Sequence, residues 1–291
     1  MVDLELLTEL VAFHKYGTLS ATAEHLMVTQ PTVTRGMKKL EQELGVSLFN
    51  REISNRISLN ETGLLTAAEA QKLLQAENNF TEKILNFDRL SHKITISSIA
   101  PGPIRLIDAF KNQFTSHLEL NHQLIKFENI LTNLQTLKDR LIFTDKEYNT
   151  DEVESMYIGI EYIGVGIDKF HPLAQHKSVS FKQLAGLIFL VVQDTGPWEK
   201  IIEEHIPAAK FLYQQDLSSM RELSQYSNFP FFYSNLTEET PATFERFSNG
   251  NHTKLPIVDK NNKIEFYGTY LKKNRQLIQP FLKHLIQIWP K

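Results

Sequence analysis

Apolar stripes of helical period, packed into the first 45 residues and separated by breakers, constrain this chain more than any other feature of its sequence. Residues 3–16 (DLELLTELVAFHKY) place Leu4, Leu7, Leu10 or Val11, and Phe13 three and four apart, which collects apolar side chains on one helix face. Gly17 stops that helix. Ser20 precedes Ala21–Leu26 as the cap of a short second helix, in which small Ala23 permits close approach to a neighbour. A turn at Met27 and Val28 follows. Thr29 caps a third helix with Pro31 in its first turn, where the lost N–H had no intrahelical partner, and Gly45 ends it after Leu44. Val33, Met37, Leu40 and Leu44 recur at intervals of four, three and four and form its inner stripe, while Pro31, Arg35, Lys38, Lys39 and Gln42 face outward. A helix packed by one face on two short partners, with a polar and basic face turned out, suits a DNA major groove. It is assigned as a recognition helix.

Leu48 and Phe49 follow as core anchors, and residues 51–59 (REISNRISL) alternate loosely about an Asn, as a short β-ribbon or wing does. Asn60 caps a long helix over 61–88, in which Leu73, Glu77, Phe80, Ile84 and Phe87 keep a four-three-four-three spacing. So narrow a seam suits a partner helix; packing against the same chain is the other reading. From His92 the period changes: KITISSI alternates like a strand, a turn spans Ala100–Pro103, and an apolar-periodic helix runs to about Phe114. Further apolar runs at 120–127, 157–167, 187–192, 229–233 and 264–271, separated by helical or turn-rich stretches, predict an α/β domain. The chain therefore divides into a DNA-binding domain over 1–60, a linker and dimerisation helix over 61–90, and a larger domain over 91–291.

Composition narrows the function classes. With 42% apolar and 22% charged residues over 291 positions the chain can bury real cores. No apolar run reaches the roughly 18 residues that span a bilayer, and Asp3 and Glu5 stand where a signal peptide wants positive charge, so no membrane partner and a cytoplasmic location are expected. The absence of cysteine excludes disulfides, thiolate metal sites and cysteine nucleophiles. The net charge of −3 argues against a polyanion partner only as an average, because Arg35, Lys38, Lys39, Arg51 and Arg56 gather around the recognition helix and wing. The histidines form no HExxH pair, there is no GxSxG elbow, and Gly164-Val165-Gly166 is too short to cradle phosphates. Adjacent pairs such as Glu203-Glu204 and Glu238-Glu239 diverge on a helix and suit a solvated face. No enzymatic activity, cofactor or metal is expected.

The segment GTLSATAEHLMVTQPTVTRGMKKLEQELGVSLFNR, from Gly17 to Arg51, resembles the DNA-binding signature of LysR-type transcriptional regulators. Ala23–Leu26, Gln30-Pro31, Val33-Thr34-Arg35, Leu40-Glu41, Leu44-Gly45 and Leu48-Phe49 followed by Arg51 carry the likeness. His171-Pro172-Leu173-Ala174 resembles a short motif farther along. Thr22 replaces the family's usual second alanine and Asn60 its usual threonine, the latter a mild change between two good caps, whereas 134–144 lacks the usual glycine-and-aspartate ending and 228–233 the common glycines.

The resemblance implies an α+β chain: a winged helix-turn-helix, a long linker helix and a C-terminal α/β effector domain. That domain would hold two Rossmann-like subdomains similar to periplasmic binding proteins, subdomain I at about 91–160 plus 266–291 and subdomain II at about 161–265. It implies a homodimer or homotetramer on double-stranded DNA, modulated by a small-molecule effector that is a carboxylate if helix starts hold it; a regulator whose C-terminal domain only oligomerises is the alternative. Ser20, Thr32, Thr34 and Arg35 would meet phosphate or base edges, with helix capping the other use of the hydroxyls. Gln30 would bond an adenine edge and Pro31 touch a thymine methyl; Lys38 and Lys39 would touch phosphate or form a solvated face, and Arg51 and Arg56 would meet the DNA backbone or minor groove, an internal ion pair being the other use of one of them. For the effector, the family's cleft corresponds to Ser97, Ser98, Ala100 and Pro101 at one strand-to-helix junction and to Gln193, Asp194, Thr195 and Gly196 at another.

Overall fold

The computed structural model describes residues 2–50, 57–89, 93–114, 116–238 and 250–290. It separates into two compact units, Met1–Leu85 and Asn86–Lys291.

The first unit opens with α1 (Leu4–Tyr16), whose Asp3 cap accepts from the Glu5 N–H and whose Gly17, at φ 74°, closes it in the left-handed conformation that glycine adopts without strain. The second helix, α2 (Leu19–His25), begins two residues earlier than the sequence suggested. Thr18, not Ser20, is its cap: the Thr18 hydroxyl accepts from Ala21, which leaves Ser20 exposed within the first turn. The linking turn holds Met27 at φ 54°. Next comes α3 (Gln30–Leu44), with Thr29 at its cap position but bonded through its hydroxyl to that of Thr32 instead of to the backbone, and Gly45 at φ 71° closing it. Leu7, Leu10, Phe13, Ala23, Val33 and Leu40 form one core, extended by Leu48 and by Phe49, which meets Phe13 edge-on at 5.3 Å.

Among the described residues the ribbon consists of β1 (Phe49–Asn50) paired antiparallel with β2 (Ser58–Leu59); the expected wing residues 51–56 lie outside the described residues. Asn60 caps α4 (Glu61–Arg89) as expected, its carboxamide oxygen accepting from the Gly63 N–H at 2.8 Å and its Nδ2 donating to the Ser47 carbonyl at 2.9 Å. Ala67 and Ala70 of this long helix are buried in the core and Leu74 packs against it, whereas Leu73, Phe80, Ile84 and Phe87 are exposed.

The second unit is built on one curled, mixed sheet. On one side β3 (Ile94–Ser98) lies between β4 (Leu118–Leu120) and β5 (Leu141–Thr144), all parallel. On the other, β7 (Ile188–Val192) lies parallel between β8 (Lys210–Gln214) and β9 (Phe231–Ser234). Two long strands join these halves: β6 (Val153–Asp168) and β11 (Lys263–Leu271) run antiparallel, with β10 (His252–Pro256) added beside the end of β6. Along β6, residues 153–162 pair with β11, and residues 163–166 pair with β9.

The remaining helices cover this sheet. Pro101–Pro103, expected as a turn, instead open α5 (Pro101–Ala109), because Pro101 is tolerated in a first turn; the helix stops short of Phe114, with a 3-10 turn over Lys111–Gln113. Of the apolar run Leu120–Phe127, Leu120 ends a strand and Phe127 begins a 3-10 turn. In order follow α6 (Ile130–Gln135), α7 (Pro197–His205), α8 (Leu217–Tyr226), α9 (Asn235–Glu238) and α10 (Arg275–Ile288). Bare Gly268 on β11 lets Leu282 of α10 lie directly on the strand, since a Cβ there would collide with its methyls. The core of this unit runs continuously through Ile96, Phe143, Phe266 and Leu282.

Candidate DNA-reading face and ligand cleft

The outer face of α3 keeps its polar groups together. Gln30, Pro31, Arg35, Lys38 and Lys39 are all exposed. The Ser20 hydroxyl of α2 donates to Gln30 Oε1 at 3.3 Å, so two of the candidate DNA contacts from different helices sit side by side. Thr34 turns its hydroxyl back to the Gln30 carbonyl at 2.9 Å, and Thr32 is engaged with Thr29. Arg35 and Lys38 make no hydrogen bond or ion pair among the described residues. Lys39 differs: at 3.8 Å from both Asp3 and Glu43, its charge is directed toward the start of α1. Arg51 and Arg56 lie outside the described residues.

Behind this face the turn into the hairpin is locked by Glu41, whose Oε1 accepts from the Leu48 N–H at 2.8 Å. Glu9 of α1 packs its carboxyl over Gly36 of α3, where burial, helped by Glu5 and Asp3, raises its pKa. A side chain at position 36 would displace the Glu9 carboxyl from this place.

In the second unit a cavity of about 130 Å³ opens between the two parallel halves of the sheet. Pro101, Gly102 and Arg105 of α5 form one wall. Glu161 and Ile163, at the point where β6 passes from one half to the other, form the floor. Leu190 of β7, Trp198 and Ile202 of α7, Met220 of α8 and Phe231 of β9 form the opposite, apolar wall.

Sequence expectation and structure meet only in part here. Pro101 and Thr195 line the cavity. Ser97 is fully buried elsewhere, donating to Asp139 at 2.6 Å, and Asp139 also accepts from Asn133. Ser98 caps locally, its Oγ accepting from the Ala100 N–H, and Ala100 is buried at the start of α5. Gln193 is exposed and holds the Gln214 carbonyl through its backbone. Asp194 and Gly196 sit at positive φ, and Gly196 backs so closely on the Ile99 carbonyl that no Cβ fits.

The two charged side chains of the lining, Arg105 and Glu161, were not singled out by sequence reasoning. Glu161 is 2% exposed and accepts from Trp198 Nε1 at 2.9 Å; Ser234 hydrogen-bonds it as well. Burial raises its pKa against the opposing pull of these donors and of Arg105. Its carboxyl occupies the space that a Cβ on Gly102 would fill, at the start of α5. The position anticipated for an effector carboxylate is therefore taken by the chain's own. A signal was present: Glu161 is the lone charge in the apolar run 157–167, and Gly102 is flanked by two prolines.

A helix-turn-helix with a short hairpin, a long exposed helix and a two-lobed α/β unit enclosing a cleft together define a winged helix-turn-helix protein with an effector-domain fold. Residues 4–64 match the family model described as bacterial regulatory helix-turn-helix protein, lysR family. The HTH-type transcriptional activator CmpR of Synechocystis is 23% identical over 220 residues, covering 74% of this chain and 72% of its own. A full-length, singly substituted OxyR from Pseudomonas aeruginosa matches 99% of this chain and 95% of its own, with a TM-score of 0.53 at 18% identity. The structure of Vibrio fischeri DarR in complex with DNA gives a TM-score of 0.53 at 16% identity over 97% of this chain and 98% of its own. Residues 4–64 thus carry the helix-turn-helix of the lysR family, and the chain as a whole is similar to transcriptional regulators of that type.

No described helix is long and apolar enough to cross a membrane. Among the described residues no group of three or more His, Asp or Glu side chains is arranged to hold a metal ion.

Proposed function

We propose that this protein reads double-stranded DNA as a dimer, or a pair of dimers, through α3, and that a small molecule in the cleft changes how the paired helices meet the duplex. The observation that carries the reading is the outer face of α3, where exposed Gln30, Pro31, Arg35 and Lys38 stand around the helix start with Arg35 and Lys38 uncommitted to any internal partner among the described residues. Arg and Gln are the side chains whose forked donors and acceptors match guanine and adenine edges, and Lys neutralises phosphate. Relatives support it: CmpR is named an activator, and the DarR structure contains DNA. Exposed Leu73, Phe80, Ile84 and Phe87 on α4 supply an apolar seam for a second subunit, which would set two α3 helices about 34 Å apart on successive major grooves. The cleft favours a ligand-responsive regulator over a scaffold that only oligomerises, because two charged side chains are held inside a mostly apolar cavity.

The test is selection from fragmented genomic DNA of the source organism at fixed moderate salt, followed by sequencing of what the protein retains. Recovery of a few sites sharing a partial dyad supports the reading. Recovery with no common element, or the same set with Gln30→Ala as with the natural chain, contradicts it.

A further inference from the structure

Arg105 and Glu161 both line the cleft, and they do not satisfy one another. They lie close enough for each to feel the other's charge, yet no hydrogen bond or ion pair joins them. The guanidinium of Arg105, with five N–H donors, makes no hydrogen bond or ion pair among the described residues, and partial burial disfavours its charge. Glu161 has only the neutral donors of Trp198 and Ser234. Two opposite charges held apart in an apolar cavity are each costly, and removing that cost requires partners for both.

We propose that the cleft takes a small zwitterion with an apolar body, of which an α-amino acid is the simplest, its ammonium on Glu161 and its carboxylate on Arg105. The proposal rests on the reading of this cleft as the effector site. A single carboxylate would meet Arg105 but set a second anion beside Glu161. A single amine would meet Glu161 and leave Arg105 without an acceptor. A zwitterion supplies both, and Leu190, Ile202, Met220 and Phe231 receive the remainder. The space, about 130 Å³, is close to the roughly 150 Å³ of an apolar cavity that holds benzene, so a side chain of leucine or methionine size fits.

Calorimetric titration of the full chain tests this with four probes: L-leucine, its des-amino analogue 4-methylpentanoate, its des-carboxy analogue 3-methylbutylamine, and neutral 4-methylpentan-1-ol. The amino acid should bind at least tenfold more tightly than any of the others. Glu161→Gln should erase its advantage over 4-methylpentanoate, and Arg105→Met its advantage over the amine. The natural chain alone decides the main point should either variant fail to fold. Equal or tighter binding of a singly charged or neutral probe overturns the zwitterion while leaving the effector cleft standing. Binding of none of the four overturns the zwitterion and, with it, the cleft as a small-molecule site of this size.

Discussion

The indole Nε1 of Trp198 donates at 2.9 Å to Glu161 Oε2, joining α7 of one half of the second unit to the strand that passes between its halves, with both side chains buried. The bond ties a titratable group to the geometry of the cleft, and stability should report on it. Burial raises the pKa of Glu161 above its ordinary 4.5, so between that value and the raised one the folded chain holds a proton that the unfolded chain releases. This contribution is complete below about pH 4.5 and is lost as pH rises through the raised value. Urea unfolding from pH 4.5 upward should show the natural chain losing stability relative to Glu161→Gln, by no more than about 1.4 kcal/mol per pH unit. Parallel curves would contradict the assignment.

Glu41 should matter through its partner on the other side of a turn. Glu41→Ala leaves the partly buried Leu48 N–H without its 2.8 Å acceptor and should cost about 1–3 kcal/mol in denaturant unfolding of the first unit. A cost below about 0.5 kcal/mol would mean that water replaces the carboxylate.

Helix α4 should govern oligomeric state. Phe80 and Ile84 are 66% and 55% exposed, and replacing either by Glu puts charge into an apolar seam without touching the core formed by Ala67 and Ala70. Sedimentation should show the natural chain at a multiple of 33.6 kDa and each variant shifted toward the single-chain mass. An unchanged mass would place the subunit contact elsewhere.

Gln30 and Lys38 should separate sequence reading from phosphate attraction. Gln30→Ala should cost about 1–3 kcal/mol at one base position and relax preference there. Lys38→Ala should weaken binding to all duplexes alike and lower the slope of log affinity against log salt by about one. The reverse pattern would exchange their roles.

Local spacing made the first unit legible. The stripes of α1 and α3, the stops at Gly17 and Gly45 and the Asn60 cap all follow from rules that act within one or two turns. The cap of α2 was misplaced because Thr18 and Ser20 offer equivalent hydroxyls two residues apart, and only the path of the chain decides between them. The cleft was less legible for the same reason on a larger scale. Ser97 turns away because Asp139, 42 residues on, claims its hydroxyl. Glu161 meets Trp198 across 37 residues and Gly102 across a still longer gap, through pairings that no local pattern encodes. Pro101 to Pro103 read as a turn because two prolines flank a glycine, yet a helix start accepts all three, and the bare glycine is what admits the Glu161 carboxyl.

Regulation through α3 requires that Arg35 distinguish one sequence from another. Fluorescence anisotropy at fixed salt, with a selected operator and a shuffled duplex of the same composition, compares the natural chain with Arg35→Ala. The natural chain should prefer the operator by about 10³-fold or more, and Arg35→Ala should lose at least tenfold of that preference. Equal affinity for both duplexes, or an unchanged preference in Arg35→Ala, would contradict the reading of α3 as the helix that recognises DNA.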